Sequence, residues 1–253
     1  MKSKHPFSVV IICKNESRTI KDCILAAQRV SEDIVVVDSG STDGTQGIAR
    51  SLGARVFDYE WKGYSANKNY GNDQAENDWI ISLDGDEVMD EELIHLLQKL
   101  SPQSRHVYRL NSLVNFGGKW IRYSGWFPVW KHRIFNRKEV SWNQALVHED
   151  LGPLEDMTII SLKGLLHHFS FKDIEDHQER TERYAQLRVR EWMEKGKGPS
   201  LIKRIFGPSF RWFKTYIIKR GFLDGKMGWY ISCSNARMIR RQIQIYDHIK
   251  SEQ

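Results

Sequence analysis

Two aspartates one glycine apart stand at the end of an apolar run in Trp79-Ile-Ile-Ser-Leu-Asp84-Gly85-Asp86-Glu87. Ile80 to Leu83 read as a buried parallel strand, short, apolar and partly β-branched. Carboxylates just past such a strand lie where open α/β sheets bind their ligands. Two acids this close repel, so a positive group is expected between them, most simply a divalent cation carrying a diphosphate. Oxygen ligands favour Mg²⁺ or Mn²⁺ over zinc, which makes Asp84 and Asp86 the candidate metal ligands. Gly85 lets phosphate oxygens approach the backbone. Alone, an Asp-x-Asp triplet also reads as an ordinary acidic turn.

The elements that would position this pair lie upstream. Phe7-Ser-Val-Val-Ile-Ile-Cys13 is a near-continuous apolar run suited to a central strand, followed by Lys14-Asn15-Glu16-Ser17. Ser17 is placed to cap a helix with Ile20, Ile24 and Ala27 on its apolar face. Asp33-Ile-Val-Val-Val-Asp38 is a second buried strand, and Ser39 to Thr45 is dense in turn and capping residues. A helix through Ile48 and Leu52 leads to a short strand at Ala54–Phe57. A further helix, with Ser65 as its cap, runs to Ala75. Alternating strands and helices over the first ~100 residues give a doubly wound nucleotide-binding sheet. Asp90 starts a helix that Ser101-Pro102 stops. From Arg105 the pattern turns antiparallel, with strands at 107–115, 119–123 and 132–135. Beyond Asp173 it is helical, in three stretches. The division expected is a catalytic domain over 1–172 and a basic helical extension over 173–253.

Composition narrows the classes. At 253 residues, 40% hydrophobic and 28% charged, the chain is an ordinary globular one. The N-terminus enters a strand without a secretory h-region, and no apolar run approaches the ~18 residues of a membrane span. Three cysteines in no metal-type spacing suit a reducing compartment, so a cytoplasmic location is expected. From Lys195 on there are 13 Lys and Arg against three acids, net +10, which leaves −4 on residues 1–194. A basic tail on an acidic-to-neutral body points to an anionic surface as partner, membrane lipid or nucleic acid.

Three motifs occur together: Val10-Ile-Ile-Cys13-Lys14-Asn15-Glu16, Val36-Val-Asp38-Ser-Gly-Ser-Thr-Asp43-Gly44-Thr45, and Leu83-Asp84-Gly85-Asp86-Glu87. In combination they resemble the inverting GT-A glycosyltransferases of family 2, which use nucleotide sugars. Trp61-Lys-Gly-Tyr, Asn67-Lys68-Asn69, Ser124-Gly-Trp-Phe-Pro, Arg133-Ile-Phe-Asn-Arg137, Val147-His148-Glu149 and Gly221-Phe-Leu-Asp-Gly225 resemble the branch that adds β-linked glucose to lipopolysaccharide inner core. The fold this implies is a GT-A, Rossmann-like mixed α/β sheet with a small antiparallel layer and a helical C-terminal extension.

The resemblance also implies roles. Cys13, Lys14, Asn15 and Glu16 line the base pocket, Asp38 accepts hydrogen bonds from the nucleoside, and Lys68 faces the diphosphate or the base. Asp84 touches the ribose and Asp86 holds the metal; Gly85 and Arg133 complete the donor site. Many members carry Pro-Thr-Tyr-Asn where this chain has Ile12-Cys13-Lys14-Asn15, so the base-stacking tyrosine is missing. An inverting transfer needs a base on the acceptor hydroxyl. Glu149 is the first candidate and Asp150 the second. The implied donor is a nucleotide sugar such as UDP-glucose, and the implied acceptor a cell-envelope glycolipid.

Other residues keep two readings. His148 and His167-His168 suit a metal or structural hydrogen bonds, Arg133 and Arg137 a phosphate or solvent, and Trp126, Phe127 and Trp130 a sugar face or a core. The stretch Lys203–Arg220 mixes aromatics with cations, as does a helix lying in a membrane interface. It equally fits an amphipathic helix packed with its basic face wet. A nucleotidyltransferase would carry a Gly-rich, basic phosphate loop after the first strand, which Lys14-Asn-Glu-Ser-Arg18 is not. A non-enzymatic nucleic-acid binder would need a recognised module, and none is present; no nucleic acid partner is expected.

Overall fold

The computed structural model describes residues 6–143 and 150–251. In chain order the elements are β1 (Phe7–Cys13), α1 (Ile20–Ala27), β2 (Asp33–Asp38), α2 (Thr45–Ser51), β3 (Arg55–Asp58), α3 (Tyr64–Gln74), β4 (Trp79–Asp84), β5 (Glu87–Met89) and α4 (Glu91–Lys99). There follow β6 (His106–Phe116), β7 (Lys119–Trp120), β8 (Val129–Asn136), β9 (Ser141–Trp142), β10 (Leu151–Gly152), β11 (Thr158–His168), α5 (Ile174–Glu194), α6 (Leu201–Phe213) and α7 (Gly225–Ser251). They pack as two units. One holds the described residues up to Ser112 with Val129–His168; the other holds Leu113–Pro128 and the described residues from Phe169 on.

In the first unit the strand order is β3-β2-β1-β4-β8-β6-β11-β5. β1 pairs parallel with β2 and β4, and β2 parallel with β3. From β4 onward the observed pairs, β4 with β8, β6 with β8 and β11 with β5, are antiparallel. This is the mixed α/β sheet expected. β1 and β2 are buried along their whole length, as strands covered on both faces must be. Side chains of β1 alternate: Val9 and Ile11 pack with Ile24, Leu93 and Leu97 on one face, Val10 and Ile12 with Val37, Ile80 and Phe135 on the other. α3 lies close on the second face. A Cβ on Gly71 would stand 2.5 Å from Val10 Cγ1 and 2.9 Å from Val37 Cγ2, so only glycine admits the helix there.

Register sets the functional edge. Cys13 lies opposite Asp38, and Ile12 opposite Asp84, so three parallel strands deliver their last residues side by side.

Two expected helix caps change and one holds. Ser17 does not cap α1; its amide donates to Asp43 Oδ2 at 3.0 Å, and α1 starts at Ile20 with no side-chain cap bond. α3 starts one residue before Ser65, after Gly63 at φ 105°, a left-handed value that glycine adopts without strain. Asp90 does cap α4, accepting from the Leu93 amide at 2.8 Å.

In the second unit the end of β6 and β7 form a hairpin, Asn115 opposite Trp120. Of the strand expected over 119–123, β7 covers Lys119–Trp120; the Ile121 amide still donates to the Val114 carbonyl at 2.9 Å, and Asp224 then takes the amides of Arg122 and Tyr123, each at 3.1 Å. Its core gathers Phe116, Ile121 and Ile231 with Trp126, Phe171 and Tyr230. Trp126 is thus a core residue. α5 and α6 both pack on α7, capped by Asp173 and Ser200. A π turn at Lys214–Ile218 and a 3-10 turn at Gly221–Asp224 join α6 to α7. No helix among the described residues is long and apolar enough to cross a membrane.

Candidate functional site

Asp84 closes β4 between two cations. Arg133 Nη2, from β8, donates to Asp84 Oδ2 at 2.7 Å, and Lys68 Nζ, from α3, stands 3.3 Å from Oδ1. Glu87, at the start of β5, shares the cluster. Its Oε1 accepts from Arg133 Nη2 at 2.7 Å and Lys131 Nζ at 2.8 Å, and its Oε2 from the Asp84 amide at 3.1 Å. Lys68 and Glu87 are fully buried and Arg133 is 3% exposed. Such charges persist in the interior only when paired. Burial alone would raise both carboxyls. Arg133 and Lys68 override it at Asp84, holding it well below the usual range, while Arg133 and Lys131 bring Glu87 down to about 2. The same carboxylates keep the Arg133 guanidinium charged against its own burial.

Backbone geometry aims the arginine. Tyr108 of β6 lies opposite Ile134 and Arg109 opposite His132, so Arg133 is the extra residue of a β-bulge. Bulges re-aim side chains in this way beside functional sites. Lys68 is held on its other side by the Trp142 ring, 4.5 Å from Nζ, a cation–π contact.

Asp86 faces a different partner. Its Oδ2 is 3.2 Å from His168 Nε2, and the two side chains are 15% and 18% exposed. β11 brings the histidine there, since His168 lies opposite Glu87 in the β5 pairing. The repulsion expected between Asp84 and Asp86 is therefore relieved by the chain itself. Asp84 and Asp86 are the two expected metal ligands: Asp84 has Arg133 bonded to Oδ2 and Lys68 Nζ 3.3 Å from Oδ1, and Asp86 has His168 beside its Oδ2. Among the described residues no group of three His, Cys, Asp or Glu is placed to hold a metal. One carboxylate still fits Mg²⁺ or Mn²⁺, which keep waters and phosphate oxygens in their shell, and the imidazole beside it favours Mn²⁺ of the two.

The expected base pocket is two loops laced together. Asn15, at φ 57°, donates its amide to Ser41 Oγ at 2.7 Å, and its Oδ1 accepts from the Thr42 amide at 2.8 Å. The Glu16 amide donates to Thr45 Oγ1 at 2.8 Å. Lys14 is exposed. Asp38, expected to meet the nucleoside, is fully buried and shapes this loop instead, accepting from the amides of Gly40 and Ser41 at 3.0 and 2.7 Å and from Gln46 Nε2 at 2.8 Å. Burial opposes its ionisation, and the Ser41 bonds outweigh that, lowering it. Cys13 Sγ lies 3.4 Å from Asp38 Oδ2, and burial next to that carboxylate pushes the thiol far up.

Gly85 is required by packing. A Cβ there would stand 2.8 Å from Cys13 Cβ and 3.2 Å from Glu16 Cγ.

Of the two candidate bases, Glu149 lies outside the described residues, as does His148. Asp150 is described: its Oδ1 meets His132 Nδ1 at 3.0 Å and the Leu151 amide at 2.8 Å, with its side chain 60% exposed. Arg137 reaches Asp78 and the Asn72 carbonyl, a structural use. The structure thus joins Lys68, Asp84 and Arg133, and separately Cys13, Asp38, Gly85, Asn15 and Glu16. Sequence reasoning gave no role to Glu87 or Lys131.

A family model described as Glycosyl transferase family 2 matches residues 8–152. The chain is 31% identical over 226 residues to the lipopolysaccharide core biosynthesis glycosyltransferase LpsC of Rhizobium meliloti (strain 1021), covering 84% of this chain and 81% of that one. It is 28% identical over 230 residues to the uncharacterized glycosyltransferase RP128 of Rickettsia prowazekii (strain Madrid E), covering 86% and 78%. Among solved structures, glucosyl-3-phosphoglycerate synthase from Mycobacterium tuberculosis has a TM-score of 0.47 at 16% identity, covering 78% of this chain and 82% of that one.

Proposed function

The chain belongs to glycosyl transferase family 2 and is a glycosyltransferase, and from that premise we propose that it moves a hexose, glucose from UDP-glucose, with inversion onto a cell-envelope glycolipid such as lipopolysaccharide core. The observation that carries the reading is the division of labour at the end of β4: Asp84 held between the buried cations Lys68 and Arg133, and Asp86, also half-buried, paired with His168. The glycolipid acceptor rests on the likeness to LpsC.

Each residue has a task in this reading. Asp84, still 24% exposed at its side chain, orients the ribose while Lys68 and Arg133 keep it ionised. Asp86 and His168 would hold Mg²⁺ or Mn²⁺. That ion would supply charge neutralisation for the departing nucleoside diphosphate. The laced loops of Asn15–Glu16 and Ser41–Thr45 form the wall against which the base lies, with Lys14 exposed beside it. Glu149 is the first candidate to take the acceptor proton; Asp150, the second, would take it through Oδ2, its Oδ1 being engaged by His132 and the Leu151 amide. A carboxylate in that role accepts the hydroxyl proton as the oxygen attacks the anomeric carbon from the face opposite the leaving group.

The test is a panel of UDP-, GDP- and dTDP-sugars with Mg²⁺ or Mn²⁺ and a lipopolysaccharide-core acceptor, with the anomeric configuration of the product read by NMR. Transfer from UDP-glucose alone, giving the β-linked product, is expected. A retained α-configuration, or transfer that survives EDTA unchanged, would overturn the inverting metal-dependent reading.

A further inference from the structure

α6 packs against α7 with its polar side. Arg204 pairs with Asp247 at 2.7 Å, a Cβ on Gly207 would touch Ile239 Cγ2 at 3.2 Å, and Thr215, one turn beyond the helix, lies 3.4 Å from Asn235 Nδ2. Pro208 and Thr215 are buried. Arg204, Pro208 and Thr215 recur at steps of four and seven residues and mark the inner stripe. The opposite stripe is apolar and faces outward. Leu201, Ile202, Phe206 and Phe210 are 71%, 74%, 62% and 59% exposed, and the stripe continues past Phe213 to Ile218 and Leu223. An ordinary surface helix buries its apolar face. This one is inverted. A contiguous exposed apolar stripe marks a surface made to be covered.

The surroundings say by what. Exposed Lys214, Lys219, Arg220 and Lys226 lie along the same segment, within a tail of net charge +10 from Lys195 on. Trp212, Tyr216 and Trp229 cluster beside the stripe, with Trp212 and Trp229 rings 5.4 Å apart. Exposed aliphatics and phenylalanines flanked by cations, with Trp and Tyr alongside, are the makeup of a helix lying in a membrane interface. We propose that Leu201–Leu223 is a monotopic docking surface that inserts its apolar stripe into an anionic lipid bilayer, with the lysines and Arg220 on the headgroups. The contact is hydrophobic first and electrostatic second. This distinguishes it from adsorption of a basic tail, and it does not depend on the transfer chemistry.

The full chain is mixed with vesicles of phosphatidylcholine alone or with phosphatidylglycerol, at low salt and at about 0.5 M NaCl, where surface electrostatics are largely screened. Binding is read by flotation and by quenching of tryptophan with brominated acyl chains. Wild type is expected to float with the anionic vesicles, to be quenched, and to retain part of its binding at high salt. Phe206→Ser/Phe210→Ser should lose roughly ten-fold or more in partitioning at both salts. Lys214→Gln/Lys219→Gln should lose binding mainly at low salt. Melting curves establish that both variants are folded, as substitutions at exposed positions should be. Absence of vesicle binding overturns the proposal, and so does a phenylalanine variant that binds like wild type. A lipid-free dimer that this variant converts to monomer would assign the stripe to a second copy of the chain and also overturn it.

Discussion

Arg133 Nη2 donates to Asp84 Oδ2 at 2.7 Å from a bulge that leaves the arginine without a cross-strand partner. The same nitrogen reaches Glu87, so one buried guanidinium holds the carboxylate that ends β4 and the one that begins β5. Removing it would leave two buried carboxylates short of a counter-charge. Arg133→Met is expected to destabilise the first unit by about 3–5 kcal/mol, measured by urea denaturation. A loss below about 1 kcal/mol would mean that the cluster is not what holds the strand ends.

Acid should act through the same cluster. Glu87 falls from 4.5 to about 2 on folding, and Asp84 also falls. A depressed carboxylate contributes stability that is present above its unfolded pKa and lost as pH drops through its folded pKa. Unfolding free energy should therefore decline from about pH 5 toward pH 2, with Glu87 alone accounting for about 3 kcal/mol. Glu87→Gln, less stable at pH 7, should show a shallower decline over that window. Parallel curves for the two proteins would contradict the assignment.

Gly85→Ala places a methyl 2.8 Å from Cys13 Cβ. Overpacking of this kind costs about 1–3 kcal/mol, and the β1 end and the Asp84–Asp86 segment should shift apart. Both a lower melting temperature and weaker nucleotide binding are expected. Unchanged melting with weakened binding would restore the simpler role, a backbone left bare for phosphate.

Asp38→Asn keeps the shape but replaces an oxygen facing hydrogen-bond donors with an amide. Amides of Gly40 and Ser41, bonded to Asp38 Oδ1, should exchange hydrogen faster, by about ten-fold for each ~1.4 kcal/mol lost. Exchange at wild-type rates would show that the loop does not depend on this carboxylate.

Much of the frame was legible because it is local. The unbroken runs Phe7–Cys13 and Asp33–Asp38 allow little but buried strands, and Asp90 before Glu91-Glu92 signals a helix start that the Leu93 amide confirms. The cluster at Asp84 was half legible: its acids sit in one motif, while Lys68 and Arg133 come from α3 and from a bulge that no spacing announces. Ser17 misled because the chain first makes a turn, the Thr19 and Ile20 amides donating to the Glu16 carbonyl at 3.0 and 2.9 Å, and the helix begins only at Ile20. On Lys203–Arg220 the alternation of apolar and basic residues revealed two faces. Which of them packs is decided by α7, through Asp247 and Asn235.

The central claim is that Asp86 with His168, and not Asp84, receives the metal-bound diphosphate. Titration calorimetry of UDP with and without Mn²⁺ tests it most directly, on wild type, Asp86→Asn and His168→Gln. Tight Mn²⁺-dependent binding by wild type, weakened at least about ten-fold in both variants while their melting temperatures hold, is the predicted result. Variants that bind UDP and Mn²⁺ like wild type would contradict it and return the strand-end carboxylates to a purely structural role.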